Sequence, residues 1–139
     1  MGYDREVEMI RIAHELDILT APYVFDEEDI ANMIRAGADI VVLHFGLTAK
    51  GTIGARTTRS LEEVAKLAQE WAEYARSLRS DVIVLVHGGP IADLDDWRYI
   101  AERVKGVHGF FGASTFERLP VEKAVVEQIR SFKQVKIKP

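Results

Sequence analysis

The chain contains no cysteine. Disulfides and thiolate chemistry are excluded, and nothing about redox compartment can be read from thiol spacing. It also lacks a strong charge of either sign. The net charge is −4, with acids and bases interspersed, so neither a nucleic-acid partner nor a membrane surface is expected. No apolar run approaches the roughly 18 residues of a membrane span. The opening MGYDREVEMI is charged by its fourth residue and has no signal-peptide core. The expected location is therefore cytoplasmic. No linker, low-complexity tract or shift in composition divides the 139 residues, so a single domain over 1–139 is expected.

What is present is an alternation of helical and strand patterns. Residues 4–16 carry apolar side chains near helical spacing, and 18–25 (ILTAPYVF) is a short β-rich run. Residues 26–38 open with acids, Asp26 as the cap, and close at Gly37 as a helix should. DIVVLHFG at 39–46 is almost wholly apolar, which fits a strand buried on both faces of a parallel sheet. A Gly- and Thr-rich loop follows at 47–59. Ser60 and Glu63 form a capping box for a helix at 61–79. A second strand pattern at 81–89 leads to a helix at 93–104 with an Asp cap. VHGFFGA at 107–113 is the last strand. Ser114 and Glu117 give a second capping-box signature around one short turn, and Pro120 suits the first turn of a final helix at 120–134. Four strands joined through helices require a parallel sheet in an α/β fold.

GADIVVLHFG (37–46) and SDVIVLVHGG (80–89) form a loose internal repeat, each with a histidine two residues before its final glycine. His44 and His87 thus stand at the C-terminal ends of neighbouring predicted strands, where barrel enzymes place catalytic groups. Imidazole suits proton transfer near neutral pH, and both are candidate acid/base residues. The plainer reading of each is a strand-end histidine bonded to loop backbone. Two histidines also begin a metal site, but no third ligand has obvious spacing.

Gly88 and Gly89 permit close backbone approach to a ligand, or simply make a tight turn. Gly112, Ala113 and Ser114 offer small residues and amides at a helix start. Together the two glycine-rich strand ends resemble the way (β/α) barrels build a phosphate site. In the 47–59 loop, Lys50 and Gly51 are candidate contacts to an anionic group, and the loop glycines permit lid motion. Trp71, Trp97 and His108 are expected to be structural. Tyr23 and Asp26 are weaker site candidates, and Asp26 reads first as a cap.

APYVF (21–25), GAD followed by H-x-GLT (37–48), KGTIGA (50–55), VHGGP (86–90) and GVHGFFGAS..ERLPVE (106–122) resemble the phosphoenolpyruvate hydrolase-like TIM-barrel family. The resemblance covers nearly the whole chain. It implies a TIM barrel related to phosphoenolpyruvate- and pyruvate-binding enzymes and a phosphonopyruvate-hydrolase type activity. It also implies that a divalent metal such as Mg2+ is a candidate cofactor.

A complete barrel takes about 250 residues. This chain matches only its second half, a (β/α)4 half barrel of four parallel strands. The related superfamily draws its metal-binding acids largely from the other half. A half barrel also leaves its inner face to water. Four large apolar side chains left exposed forfeit roughly 6–12 kcal/mol, comparable to a domain's whole stability of about 5–15 kcal/mol. A homodimer or another oligomer is expected on that ground. So is a small anionic ligand, with hydrolase activity only in an assembled barrel. The alternatives are a non-catalytic binding or assembly module and a truncated barrel fragment. Met1 leads straight into a family-like segment, which raises the expectation of coding sequence upstream.

Overall fold

The computed structural model describes residues 3–56 and 59–136. Ten elements follow in order: α1 (Asp4–Glu15), β1 (Tyr23–Val24), α2 (Glu27–Arg35), β2 (Ile40–His44), α3 (Leu61–Leu78), β3 (Ile83–His87), α4 (Leu94–Arg103), β4 (Gly109–Phe110), α5 (Ser114–Glu117) and α6 (Leu119–Lys133). The four strands form one parallel sheet in the order β1-β2-β3-β4. A doubly wound sheet would reverse its strand order at a switch point. Here the order is sequential, as in an arc of a barrel. The chain is an α/β half barrel.

Strand alternation divides the side chains between two faces. Val24, Val41, Leu43, Val84 and Val86 are fully buried and join Ile30, Met33, Val64, Ala68 and Ile100 of α2, α3 and α4 in the core. Phe45 stacks on Trp71 of α3, and Phe110 lies 5.8 Å from Trp97 of α4. Those helices therefore cover one face. The other face carries Tyr23, Val42, His44, Leu85 and His87, set side by side by the register Tyr23↔Val42, Val42↔Leu85 and His44↔His87. No helix covers it. Ile83 on this face is 41% exposed, and Phe25 just beyond β1 is 45% exposed.

The caps at Asp26, Ser60 and Asp93 form as expected. Asp26 accepts the Asp29 amide. The Ser60–Glu63 box is complete, and Asp93 makes a full capping box with Asp96. The box expected from Ser114 and Glu117 does not form. α5 begins at Ser114 itself, its N-cap is Ala113, and no side chain caps it. β1 and β4 are two residues each, much shorter than the apolar runs around them.

At the N-terminal end of the sheet, Thr20 donates its amide and hydroxyl to Asp39 Oδ2 at 2.9 and 3.1 Å. These bonds, the backbone one foremost, hold the Asp39 carboxyl below its ordinary value. His108 accepts the Val84 amide at 3.0 Å, a structural role that ties β4 to β3.

Candidate functional site at the strand ends

Because His44 and His87 are register partners on the uncovered face, their rings meet, with centroids 4.9 Å apart. Tyr23 of β1 touches both, at 4.9 and 5.0 Å. Phe25 packs on His44 at 4.9 Å and Phe111 edges onto His87 at 6.1 Å. The two imidazoles thus sit in an aromatic enclosure at the C-terminal edge of the sheet. Burial, aided by the neighbouring His87, pushes the His44 imidazole below its ordinary value of 6.5.

Their hydrogen bonds differ in sense. The Gly46 amide donates to His44 Nδ1 at 3.1 Å. That nitrogen carries a lone pair, so neutral His44 holds its proton on Nε2. His87 Nδ1 lies 2.6 Å from the Phe111 carbonyl, which can only accept. Nδ1 of His87 therefore carries a proton, and in the neutral ring Nε2 is the acceptor. One imidazole presents a donor and the other an acceptor, each fixed by backbone. The loop bonds expected of structural histidines are present, and they fix which nitrogen of each ring faces the loop backbone.

The glycine-rich turns are woven together. The Phe45 amide donates to the His87 carbonyl at 3.0 Å, the Gly89 amide to Gly46 at 2.7 Å, and the Ala49 amide to Gly89 at 3.0 Å. Gly88 has φ +73, and a Cβ there would lie 2.2 Å from the Gly46 oxygen. Loop packing alone demands glycine at 88. The Gly89 amide is committed to Gly46, while the amides of Gly88, Gly112 and Ala113 take no partner among the described residues. The Phe116 ring lies over Gly112, whose Cβ would meet it at 2.0 Å.

Lys50 does not face the imidazoles. Its Nζ bridges Asp93 and Asp96, at 2.6 Å from each. Burial lowers its pKa, but the two hydrogen bonds outweigh that and raise it, while the Lys50 contact draws Asp93 below its ordinary value. Arg118 donates to the Lys50 carbonyl at 3.2 Å and to Glu122 at 2.8 Å. Glu122 in turn accepts the Thr52 amide at 2.9 Å, beside Gly51 at φ +79. The loop after β2 is thus strapped to α4 by Lys50 and to α6 by Arg118 and Glu122. Thr57 and Thr58 of that loop lie outside the described residues. The loop was expected to supply anion contacts from Lys50 and Gly51; the structure places both in this strap.

Among the described residues no three His, Asp or Glu side chains group as a metal site. This donor set does not fit the Mg2+ that the resemblance implies. Nor is any helix among them long and apolar enough to cross a membrane. Phe25 and Phe111, both part of the enclosure, were not singled out from sequence. The signal was strand parity: each lies two residues along from Tyr23 or Gly109 on the same face.

A parallel half barrel whose uncovered face ends in an oriented imidazole pair defines a class: part of a (β/α)-barrel protein with its polar groups at the C-terminal strand ends. The chain belongs to the phosphoenolpyruvate hydrolase-like family, whose model matches residues 1–135. It is 47% identical over 135 residues to the ToMV susceptible protein tm-1(GCR26) and to the ToMV resistance protein Tm-1(GCR237), both of Solanum lycopersicum. The match takes in 97% of this chain and 18% of each relative, so the chain spans less than one fifth of their length. A Sinorhizobium fredii protein, y4pA, is 32% identical over 97% of this chain and 22% of its own. Among solved structures, a chain of the Amycolatopsis orientalis BexX/CysO complex overlays 96% of this chain and 52% of itself, with TM-score 0.51 and 14% identity. That likeness concerns the fold alone.

Proposed function

We propose that the strand-end mouth binds a small acid bearing a phosphate or phosphonate, of the phosphoenolpyruvate or phosphonopyruvate kind, and supports hydrolase-type proton transfer once the barrel is completed. The observation that carries this is the opposed orientation of the two imidazoles. His87 Nε2 is a lone pair that can take a proton from water or substrate. His44 Nε2–H can donate to an oxygen gaining charge. The uncommitted amides of Gly88, Gly112 and Ala113, with Ser114 at the start of α5, are the groups we assign to the phosphoryl oxygens. Lys50 and Gly51 serve the ligand indirectly, by fixing the loop.

A non-catalytic binding role is the second reading. Lys50 favours it, because a cation spent on two carboxylates leaves the mouth short of positive charge. Calorimetry separates these readings from no binding at all. Phosphonopyruvate should bind the chain, pyruvate should bind at least tenfold more weakly, and His87→Ala should abolish turnover in the assembled barrel while leaving some binding. Equal affinity for phosphonopyruvate and pyruvate would remove the phosphoryl site. Binding without turnover would leave the second reading.

A further inference from the structure

We infer that the Tyr23 phenol is a third ligand-binding group of the mouth and takes the carboxylate end of the acid, a role that rests on the phosphoryl site proposed above. Tyr23 pairs with Val42, two residues before His44, and Val42 pairs with Leu85, two residues before His87. Positions two apart on a strand share a face and lie about 7 Å apart along it. Tyr23 therefore starts one step deeper than the imidazoles, on the same side of the sheet. Its ring nevertheless meets both of them, with centroids at 4.9 and 5.0 Å, and meets Phe111 at 5.8 Å. A ring that reaches from the inner layer to the imidazoles of β2 and β3 brings its hydroxyl into the same mouth.

That hydroxyl is uncommitted. Tyr3, by contrast, donates its hydroxyl to the Tyr23 carbonyl at 2.5 Å. Tyr23 Oη takes no partner among the described residues, and it is not sealed inside the protein; the buried side-chain polar atom left unpaired among them is Arg79 Nε. A tyrosine in an apolar setting ordinarily finds a partner for its hydroxyl. A phenol can donate to an anionic oxygen, and hydrogen bonds to charged groups are among the stronger ones. No acid stands against such an oxygen. The influences on His44 are burial first, then His87 and the local backbone, with no carboxylate among them. The uncommitted amides of Gly88, Gly112 and Ala113 lie one or two residues beyond the imidazole layer, toward the rim. The order along the strands is thus amides, imidazoles, phenol. A three-carbon phosphonate acid has the matching order of phosphoryl group, central carbons and carboxylate.

Phosphonopyruvate and phosphonoacetaldehyde make the test, because the second has the same phosphonate and a carbonyl but no carboxylate. Calorimetry on the wild-type chain should show phosphonopyruvate binding about tenfold more tightly than phosphonoacetaldehyde. Tyr23→Phe keeps the ring and removes only the hydroxyl. It should weaken phosphonopyruvate about tenfold and leave phosphonoacetaldehyde within about twofold. The ring-nitrogen spectra of His44 and His87 in the ligand-free variant should match wild type, which separates a lost ligand contact from displaced imidazoles. A Tyr23→Phe chain that weakens both ligands alike, or neither, would overturn the inference and leave the phosphoryl site standing. So would altered tautomers in the ligand-free variant, because Tyr23 would then act through the imidazoles. Failure of both ligands to bind wild type would instead remove the phosphoryl site, and the role of Tyr23 with it.

Discussion

Lys50→Met tests whether Lys50 holds a loop or holds a ligand. Methionine keeps the length of the side chain. It also keeps a Cβ at a backbone φ of +62, so the local strain is unchanged. What is lost is one ammonium bridging two carboxylates, with Lys50 and Asp93 about half exposed and Asp96 mostly covered. Exposed ion pairs contribute about 0.2–1 kcal/mol each. Two pairs on one ammonium, one of them sheltered, should contribute about 1 kcal/mol. In a domain of this size that is a fall in Tm of about 3–5 °C. Salt should shrink the difference between the two proteins by screening. The pH dependence has a definite sign. Asp93 is held below its ordinary value of 3.8 in the fold. Its contribution is present above that value and is lost as pH falls through the lower, folded one. Wild type and variant should therefore differ near neutrality and converge under strong acid. Thermal melts from pH 7 to pH 2, paired with phosphonopyruvate calorimetry, measure both properties. An unchanged Tm with phosphonopyruvate binding abolished would refute the strap and make Lys50 a ligand residue.

Gly88→Ala should cost at least about 1–3 kcal/mol, because alanine at φ +73 is strained and its methyl would press on the Gly46 oxygen; urea unfolding reads it directly. Lowering the pH from 7 should destabilise the fold as an unfolded histidine begins to protonate near 6.5. His44, depressed first by burial and then by His87, accepts its proton less readily in the fold, so the unfolded state binds more protons over that window. His44→Gln should flatten this slope in pH-dependent denaturation. Arg118→Ala should loosen the loop after β2 by removing its bonds to the Lys50 carbonyl and Glu122, and hydrogen exchange at the Thr52 amide should speed up while core amides stay protected.

Features encoded within a few residues were legible in the sequence. Asp26, Ser60 and Asp93 each cap the helix that follows, because the cap needs only its neighbours two or three positions on. The pairing of His44 with His87 was foreshadowed by the matched strand repeats, since equal strands in sequential order bring equal positions into register. Ser114 misled because the S-x-x-E spacing specifies partners and not where the backbone turns; the helix starts one residue too early for Ser114 to cap it. The strap was illegible for a different reason. Lys50 meets Asp93 and Asp96 across 43 and 46 residues, and Glu122 meets Thr52 across 70. Such pairs exist only once the fold sets three loops side by side. The tautomers were likewise unreadable, because each is fixed by a backbone atom of a loop, Gly46 for one ring and Phe111 for the other.

Long-range 15N–1H spectroscopy of the histidine rings, with and without phosphonopyruvate, tests the reading of the mouth most directly. The expected spectrum at pH 7.5 shows a proton on Nε2 of His44 and on Nδ1 of His87, with both rings shifting as phosphonopyruvate is added and His14 and His108 unmoved. The same tautomer on both rings, or no response of either to phosphonopyruvate at millimolar concentration, would contradict it.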